Sequence, residues 1–264
     1  MISDLHTHSV YCDGKNTLEE MVLAAIKIGL RSIGFSGHTG FDSRYCINDL
    51  GCYLSEARNL REKYKNDIQV YVGIEEESTT LVDRDNFDYI IGSSHYVSKN
   101  GQFYSVDGSP AMFKESLEQF ENDPIQFAHA YYAPLCEYIL RRKPDIVGHF
   151  DLLTKFDEVG VSNYFNDPEY NRIAEIYINH AAQSGCLFEV NTGAISRGYR
   201  TTPYPYENLM QVLKKNNTGI VLNSDSHSAD TLAFRFRETR EFLKDVGFKY
   251  IYALYNGEFV KDYL

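Results

Sequence analysis

Histidine and carboxylate residues recur where the apolar runs of this chain stop, and that placement limits the folds open to it. His6 and His8 follow the first run. His38, Glu75, His95 and His149 each follow a later one. Asp225 and His227 close the last strong run, and Asp13 lies just after the first pair. Ligands scattered in sequence can serve one site only if the fold makes them converge. A parallel β/α barrel does so by bringing the C-terminal end of every strand to one face. The pattern points to a metal-dependent hydrolase.

The runs themselves agree with that fold class. Strands are expected at residues 2–7, 32–36, 69–74, 89–93, 145–148, 187–190 and 220–223, with a further short one at 249–253. Helices are expected between them. Thr17-Leu18-Glu19-Glu20 is a capping-box pattern opening a helix to Ile28, with Gly29 as its stop. Residues 49–65 show helical periodicity in Leu50, Leu54, Ala57 and Leu60. Residues 110–121, 124–142 and 167–184 read as helices with Pro near the start; 205–215 and 232–246 complete the set. Residues 100–109 are polar and read as a loop. Alternating strand and helix implies a parallel sheet, and seven strands with ligands at their ends imply closure into a barrel. No linker or repeat interrupts the 264 residues, so one domain spanning 1–264 is expected.

Each motif also has a plainer meaning. His6-Thr7-His8 places two imidazoles on one side of an extended segment, and its position at the first strand end favours metal. Asp13 in Cys12-Asp13-Gly14 is taken alone a turn residue. His38, His95 and His149 each follow small residues that permit close approach. In Gly73-Ile74-Glu75-Glu76-Glu77, Glu75 can bridge two cations, while Glu76 and Glu77 read as a solvated acidic patch. Asp225-Ser226-His227 answers the H-x-H at the opposite end of the chain. His129 and His180 fall inside helices and read as ordinary helix residues. Arg197 follows the sixth strand, where a guanidinium can grip phosphate oxygens; spacing alone makes it a solvent-exposed arginine. Arg200, Arg235 and Arg237 are weaker candidates. Imidazoles and carboxylates without thiolates suit catalytic Zn, Mn or Fe.

Composition narrows the partners. A formal charge of −11 argues against a duplex-binding surface but not against a small phosphate ester. Five cysteines, odd in number and irregularly spaced, fit a reducing cytoplasm. The N-terminus carries no signal-peptide pattern, and no run is long enough to span a membrane. A serine hydrolase is disfavoured: Gly34-Phe35-Ser36-Gly37 only approaches a nucleophile elbow.

Together, Asp4-Leu5-His6-Thr7-His8, Gly37-His38, Gly73-Ile74-Glu75, Ser94-His95, Gly148-His149 and Asp225-Ser226-His227 resemble the polymerase-and-histidinol-phosphatase (PHP) superfamily. Ser93-Ser94-His95-Tyr96 and Gly148-His149-Phe150-Asp151-Leu152 look like its histidinol-phosphate phosphatases. The resemblance implies a distorted (β/α)7 barrel with two or three divalent metal ions. His6, His8, Glu75 and Asp225 would hold the first; Glu75, His95 and His149 the second; His38, His227 and Asp13 the third. Many relatives carry His in place of Asp13. The implied reaction is hydrolysis of L-histidinol phosphate to L-histidinol and phosphate by metal-activated water. Glu75 would bridge, Asp225 orient the water, and Arg197 bind phosphate. His227, Asp13 or a third-site water would protonate the leaving oxygen. Tyr96, Tyr199 and Tyr204 are candidate contacts to the rest of the substrate. The same machinery could serve nucleotides or other small phosphate esters. A metal-dependent amidohydrolase would need a bridging lysine at a middle strand end, where this chain has none, and a silent scaffold would not need the ligands at all.

Overall fold

Local signals fix the first helix. Thr17 Oγ1 accepts from the Glu20 N–H at 3.2 Å while the Glu20 carboxylate accepts from the Thr17 N–H at 2.8 Å, completing the capping box of α1 (Leu18–Lys27). Gly29, at φ 80°, ends it. Asp49 caps α2 (Leu50–Lys63), which buries Tyr53, Leu54, Ala57 and Leu60. Ser109, Asp123 and Asp167 cap α3 (Pro110–Glu118), α4 (Pro124–Arg142) and α5 (Pro168–Ala181), each with Pro in its first turn. α6 (Gly193–Ser196), α7 (Glu207–Lys215) and α8 (Phe236–Val246) follow.

The computed structural model describes residues 3–264; Ile2, expected to begin the first strand, lies outside them. The strands are β1 (Ser3–Asp4), β2 (Ser32–Phe35), β3 (Gln69–Glu77), β4 (Tyr89–Ser93), β5 (Tyr96–Lys99), β6 (Gln102–Ser105), β7 (Ile146–Val147), β8 (Leu187–Asn191), β9 (Ile220–Asn223), β10 (Tyr250–Tyr255) and β11 (Glu258–Tyr263). The main sheet runs β1-β2-β3-β4-β7-β8-β9-β10-β11. Its pairs are parallel from β1 to β10 and antiparallel between β10 and β11. The sheet curls until its ends meet: Thr7 forms a parallel bridge with Ser226. There the Ser226 N–H donates to His6 O at 3.1 Å and the His8 N–H to Ser226 O at 2.8 Å. Away from that bridge β10 fills the seam. It pairs with β9 through Tyr252 and Val221, and its Leu254 carbonyl accepts from Ser32 Oγ at 2.7 Å. The expected seven-stranded barrel is thus present, distorted where β10 enters.

Leu5, Tyr71, Tyr89, Ile91, Ile146, Val221 and Leu254 form an inner apolar cluster, separate from the larger core in which the helices pack. Tyr89 needs room. A Cβ on Gly73 would stand 2.2 Å from the Tyr89 ring, and one on Gly34 2.2 Å from its hydroxyl, which donates to Leu5 O.

Two hairpins depart from the sequence expectation. Residues 102–105, read as loop, form β6, paired with β5 across Asn100 and Gly101 at φ 54° and 76°. β11 was not expected, although Asn256-Gly257, with φ 54° and 78°, is a hairpin turn pair.

Candidate metal centre

The predicted ligands lie at or just beyond the C-terminal ends of the strands, Asp13 in the first loop, and the barrel brings all of them together. Glu75 lies at the centre, buried. His6 Nε2 stands 3.1 Å and His38 Nδ1 2.8 Å from its Oε2, and His149 Nε2 3.0 Å and His95 Nε2 3.4 Å from its Oε1. Asp225 Oδ1 lies 3.3 Å from His8 Nε2 and 3.8 Å from His6 Nε2. Asp13 reaches in from the first loop, 3.3 Å from His227 Nε2 and 3.6 Å from His38 Nε2.

The ligand atoms fall into four convergent groups: His8, Asp13, His38 and His227; His6, Glu75 and His149; His6, His8 and Asp225; and His38, Glu75 and His95. Within this cluster His6 Nε2, His8 Nε2, Asp13 Oδ1 and Glu75 Oε2 are buried and make no hydrogen bond. Buried polar atoms are normally satisfied; lone pairs left open and aimed at one another suit divalent cations. The donor set fits the expected metals. Asp225 is held at φ 51°, a left-handed conformation costly for a non-glycine residue and found at functional sites.

The electrostatics are those of a site built around charge. Burial works against the Glu75 carboxylate, yet His6, His38 and His95 hold its pKa well below the usual value. Burial likewise opposes ionisation of Asp225, which Arg197 and His6 overcome. His8 is pushed well down by burial and by neighbouring His227 and His38, so it stays neutral and able to ligate.

Surrounding groups hold the ligands. Glu77 Oε2 accepts from the His95 N–H at 2.9 Å and lies 3.0 Å from His95 Nδ1. Glu76 takes a bidentate contact from Arg142 at 2.9 and 2.8 Å and a hydroxyl from Tyr138 at 2.7 Å. Both glutamates are buried, which corrects the solvated-patch reading. Alternation turns Glu77 toward the ligands and Glu76 toward α4. Glu189 on β8, which no motif marked, lies beneath the centre, 2.7 Å from His6 Nδ1.

A cavity of about 620 Å³ opens over the centre. Arg197 lines it, partly buried, its Nη2 donating to Asp225 Oδ2 at 2.9 Å. Lys155 lines it too and was missed from sequence. It follows His149 by one short 3-10 turn, and its Nζ donates to Asp107 O at 2.6 Å and Oδ2 at 3.2 Å. Tyr96 and Tyr199 also face the cavity, whereas Tyr204 is not among its lining residues. Arg200 is buried beneath, stacked 3.7 Å over Tyr206 and bonded to Thr154. Arg235 and Arg237 do not line the cavity. His129 and His180 are exposed on α4 and α5, as expected.

Residues 4–193 match the family described as PHP domain. The chain belongs to the PHP domain family. Among curated relatives, this PHP domain is 26% identical to a "Probable histidinol-phosphatase" of Schizosaccharomyces pombe, over 92% of this chain and 86% of that protein. It is 25% identical to another of that name from Deinococcus radiodurans, over 93% and 94%. Among solved structures, it matches histidinol phosphate phosphatase from Lactococcus lactis, complexed with zinc, L-histidinol and phosphate. The TM-score is 0.70 at 20% identity, over 98% of this chain and 99% of that one.

Proposed function

We propose that this PHP domain is a histidinol-phosphatase, a metal-dependent phosphoric monoester hydrolase that converts L-histidinol phosphate to L-histidinol and phosphate. The observation that carries the reading is a centre of nine convergent imidazole and carboxylate side chains beneath a cavity lined by two cations, the buried Lys155 and the partly exposed Arg197. Each is held by a carboxylate, Lys155 by Asp107 and Arg197 by Asp225, and both line the cavity, where a phosphate monoester can take their remaining N–H groups. The names of the curated relatives, which align along nearly the whole chain, support the alcohol. So does the L-histidinol bound in the Lactococcus neighbour.

Two or three divalent ions, zinc first among them, would be held by His6, His8, Asp13, His38, Glu75, His95, His149, Asp225 and His227. Glu75 belongs to two of the convergent groups and would be the bridge between ions. When bound, such ions lower the pKa of water and offset charge on phosphoryl oxygens. Arg197 and Lys155 hold the phosphate from the open side. Arg197 also fixes Asp225, leaving its Oδ1 toward His8 and the cavity to orient the attacking water. His227 and Asp13 face each other at 3.3 Å, and the leaving oxygen takes its proton on that side. Asp107 and Tyr96 are placed to meet the ammonium and imidazole of the alcohol.

We take the whole chain as one catalytic unit and place it in a reducing cytoplasm, on its odd and irregularly spaced cysteines. Among the described residues no helix is long and apolar enough to cross a membrane. The test is kcat/KM for L-histidinol phosphate, a mononucleotide and p-nitrophenyl phosphate, with metal assayed in the same sample. Histidinol phosphate should be preferred clearly. A nucleotide preference would replace the substrate, and turnover after complete metal removal would end the metal reading.

A further inference from the structure

Glu189 is buried and makes four hydrogen-bond contacts. Its Oε1 takes Asn223 Nδ2 at 2.9 Å and lies 2.7 Å from His6 Nδ1. Its Oε2 takes the His149 backbone N–H at 2.9 Å and Asn191 Nδ2 at 2.9 Å. Three of these donors cannot reverse. The backbone N–H is a donor by nature. Asn223 Oδ1 is occupied by the Leu5 N–H at 2.9 Å and Asn191 Oδ1 by the Gly193 N–H at 2.8 Å, so both amides must turn their NH2 groups to Glu189. Only the imidazole has a choice of tautomer, and an ionised carboxylate can only accept.

We infer that Glu189 is a positioning residue that sets the tautomer of His6, keeping the proton on Nδ1 so that Nε2 offers its lone pair to the metal centre. Nε2 is the buried atom left without a hydrogen bond, facing Glu75 and Asp225. Ligating histidines are commonly oriented through their other nitrogen in this way. The contact also ties β8, β9 and the segments that follow β1 and β7 to one carboxylate beneath the ligands.

Glu189→Gln separates this role from mere space-filling. The glutamine oxygen must face the His149 N–H and Asn191, where two donors are locked. Its NH2 then meets Asn223 Nδ2 and His6 Nδ1. The imidazole relieves its half of the conflict by moving its proton to Nε2, which closes that lone pair to metal.

The experiment uses zinc-loaded wild type and Glu189→Gln, both with 15N-labelled histidine. It reads the His6 ring proton by 1H–15N correlation, and zinc stoichiometry and affinity by chelator competition. Melting of the metal-free proteins checks folding. Wild type should show a slowly exchanging proton on His6 Nδ1. The variant should lose it and bind at least one zinc about 10- to 100-fold more weakly. A variant with wild-type zinc affinity overturns the inference, as does a wild-type His6 protonated on Nε2. If the variant does not fold, the metal-free wild type decides: with no zinc on Nε2, a neutral His6 should still carry its proton on Nδ1, and a proton on Nε2 there overturns the inference. The inference rests on the metal reading but on no substrate. A wild-type protein that binds no zinc removes the metal reading itself, whereas an unaffected variant removes only the role of Glu189.

Discussion

Lys155 stands in the cavity wall with its ammonium on Asp107 and over the rings of Phe156 and Tyr199. Burial pulls its pKa down while Asp107 works to keep it charged, so an arriving phosphate meets a cation that water hydrates poorly. A hydrogen bond to a charged group contributes about 1.5–3 kcal/mol. Lys155→Met should therefore lower kcat/KM for L-histidinol phosphate by roughly 10- to 100-fold with zinc content unchanged. Unaltered kinetics would remove Lys155 from phosphate binding. Arg142 makes a different test. Its removal strands the buried Glu76 charge, which costs on the order of 3 kcal/mol, so Arg142→Ala should lower the unfolding midpoint while zinc stoichiometry is retained. The convergent side chains were legible because all but Asp13 sit where an apolar run ends, a position readable without partners. Glu76, Glu77, Glu189 and Lys155 were not. Three glutamates in a row look solvated until Arg142, 66 residues from Glu76, is seen to neutralise one and His95 to occupy another.

α1 through its capping box and β9 through its apolar run were read nearly to the residue, whereas β3 runs three residues past its expected end and α8 starts four residues after its expected start. The hairpins were not read. In β5 and β6 few side chains are buried, so the alternation that announces a half-buried strand is weak there. Yet this hairpin walls the cavity: Tyr96 and Ser105 line it, and Asp107 follows at once. Replacing residues 98–103 by a two-residue turn should leave zinc binding intact and narrow the preference for histidinol phosphate over p-nitrophenyl phosphate. An unchanged ratio of the two kcat/KM values would show that the hairpin takes no part in recognition. Packing inside the barrel is less forgiving. Gly73→Ala drives a methyl group into the Tyr89 ring, which is anchored to Leu5 O. Overpacking of this kind costs about 1–3 kcal/mol, visible as a lower denaturation midpoint.

At the scale of the whole molecule, the barrel divides into a dry half and a charged half. Tyr71, Ile91, Ile146 and Val221 precede the ligands on their own strands and pack against Leu5 and Tyr89. That inner cluster needs no ion. The opposite ends carry buried imidazoles and carboxylates whose open lone pairs have no protein partner, and the Thr7–Ser226 bridge that closes the sheet runs between His6 and His8 on one side and Asp225 and His227 on the other. Closure of the sheet and convergence of these side chains are therefore one structural event. Ions that bind the folded chain and not the unfolded one stabilise it by about 2.7 kcal/mol for each site held at a hundred times its dissociation constant, so the melting temperature should climb with free zinc and fall on chelation. Hydrogen exchange should localise the loss. Chelation should speed exchange at the His8 and Ser226 amides, which form the closing bridge, and leave Ile91 and Val221 protected. Uniform loss of protection across both halves would mean that the barrel unfolds as one unit without its ions. No change at His8 and Ser226 would mean that the seam closes without them.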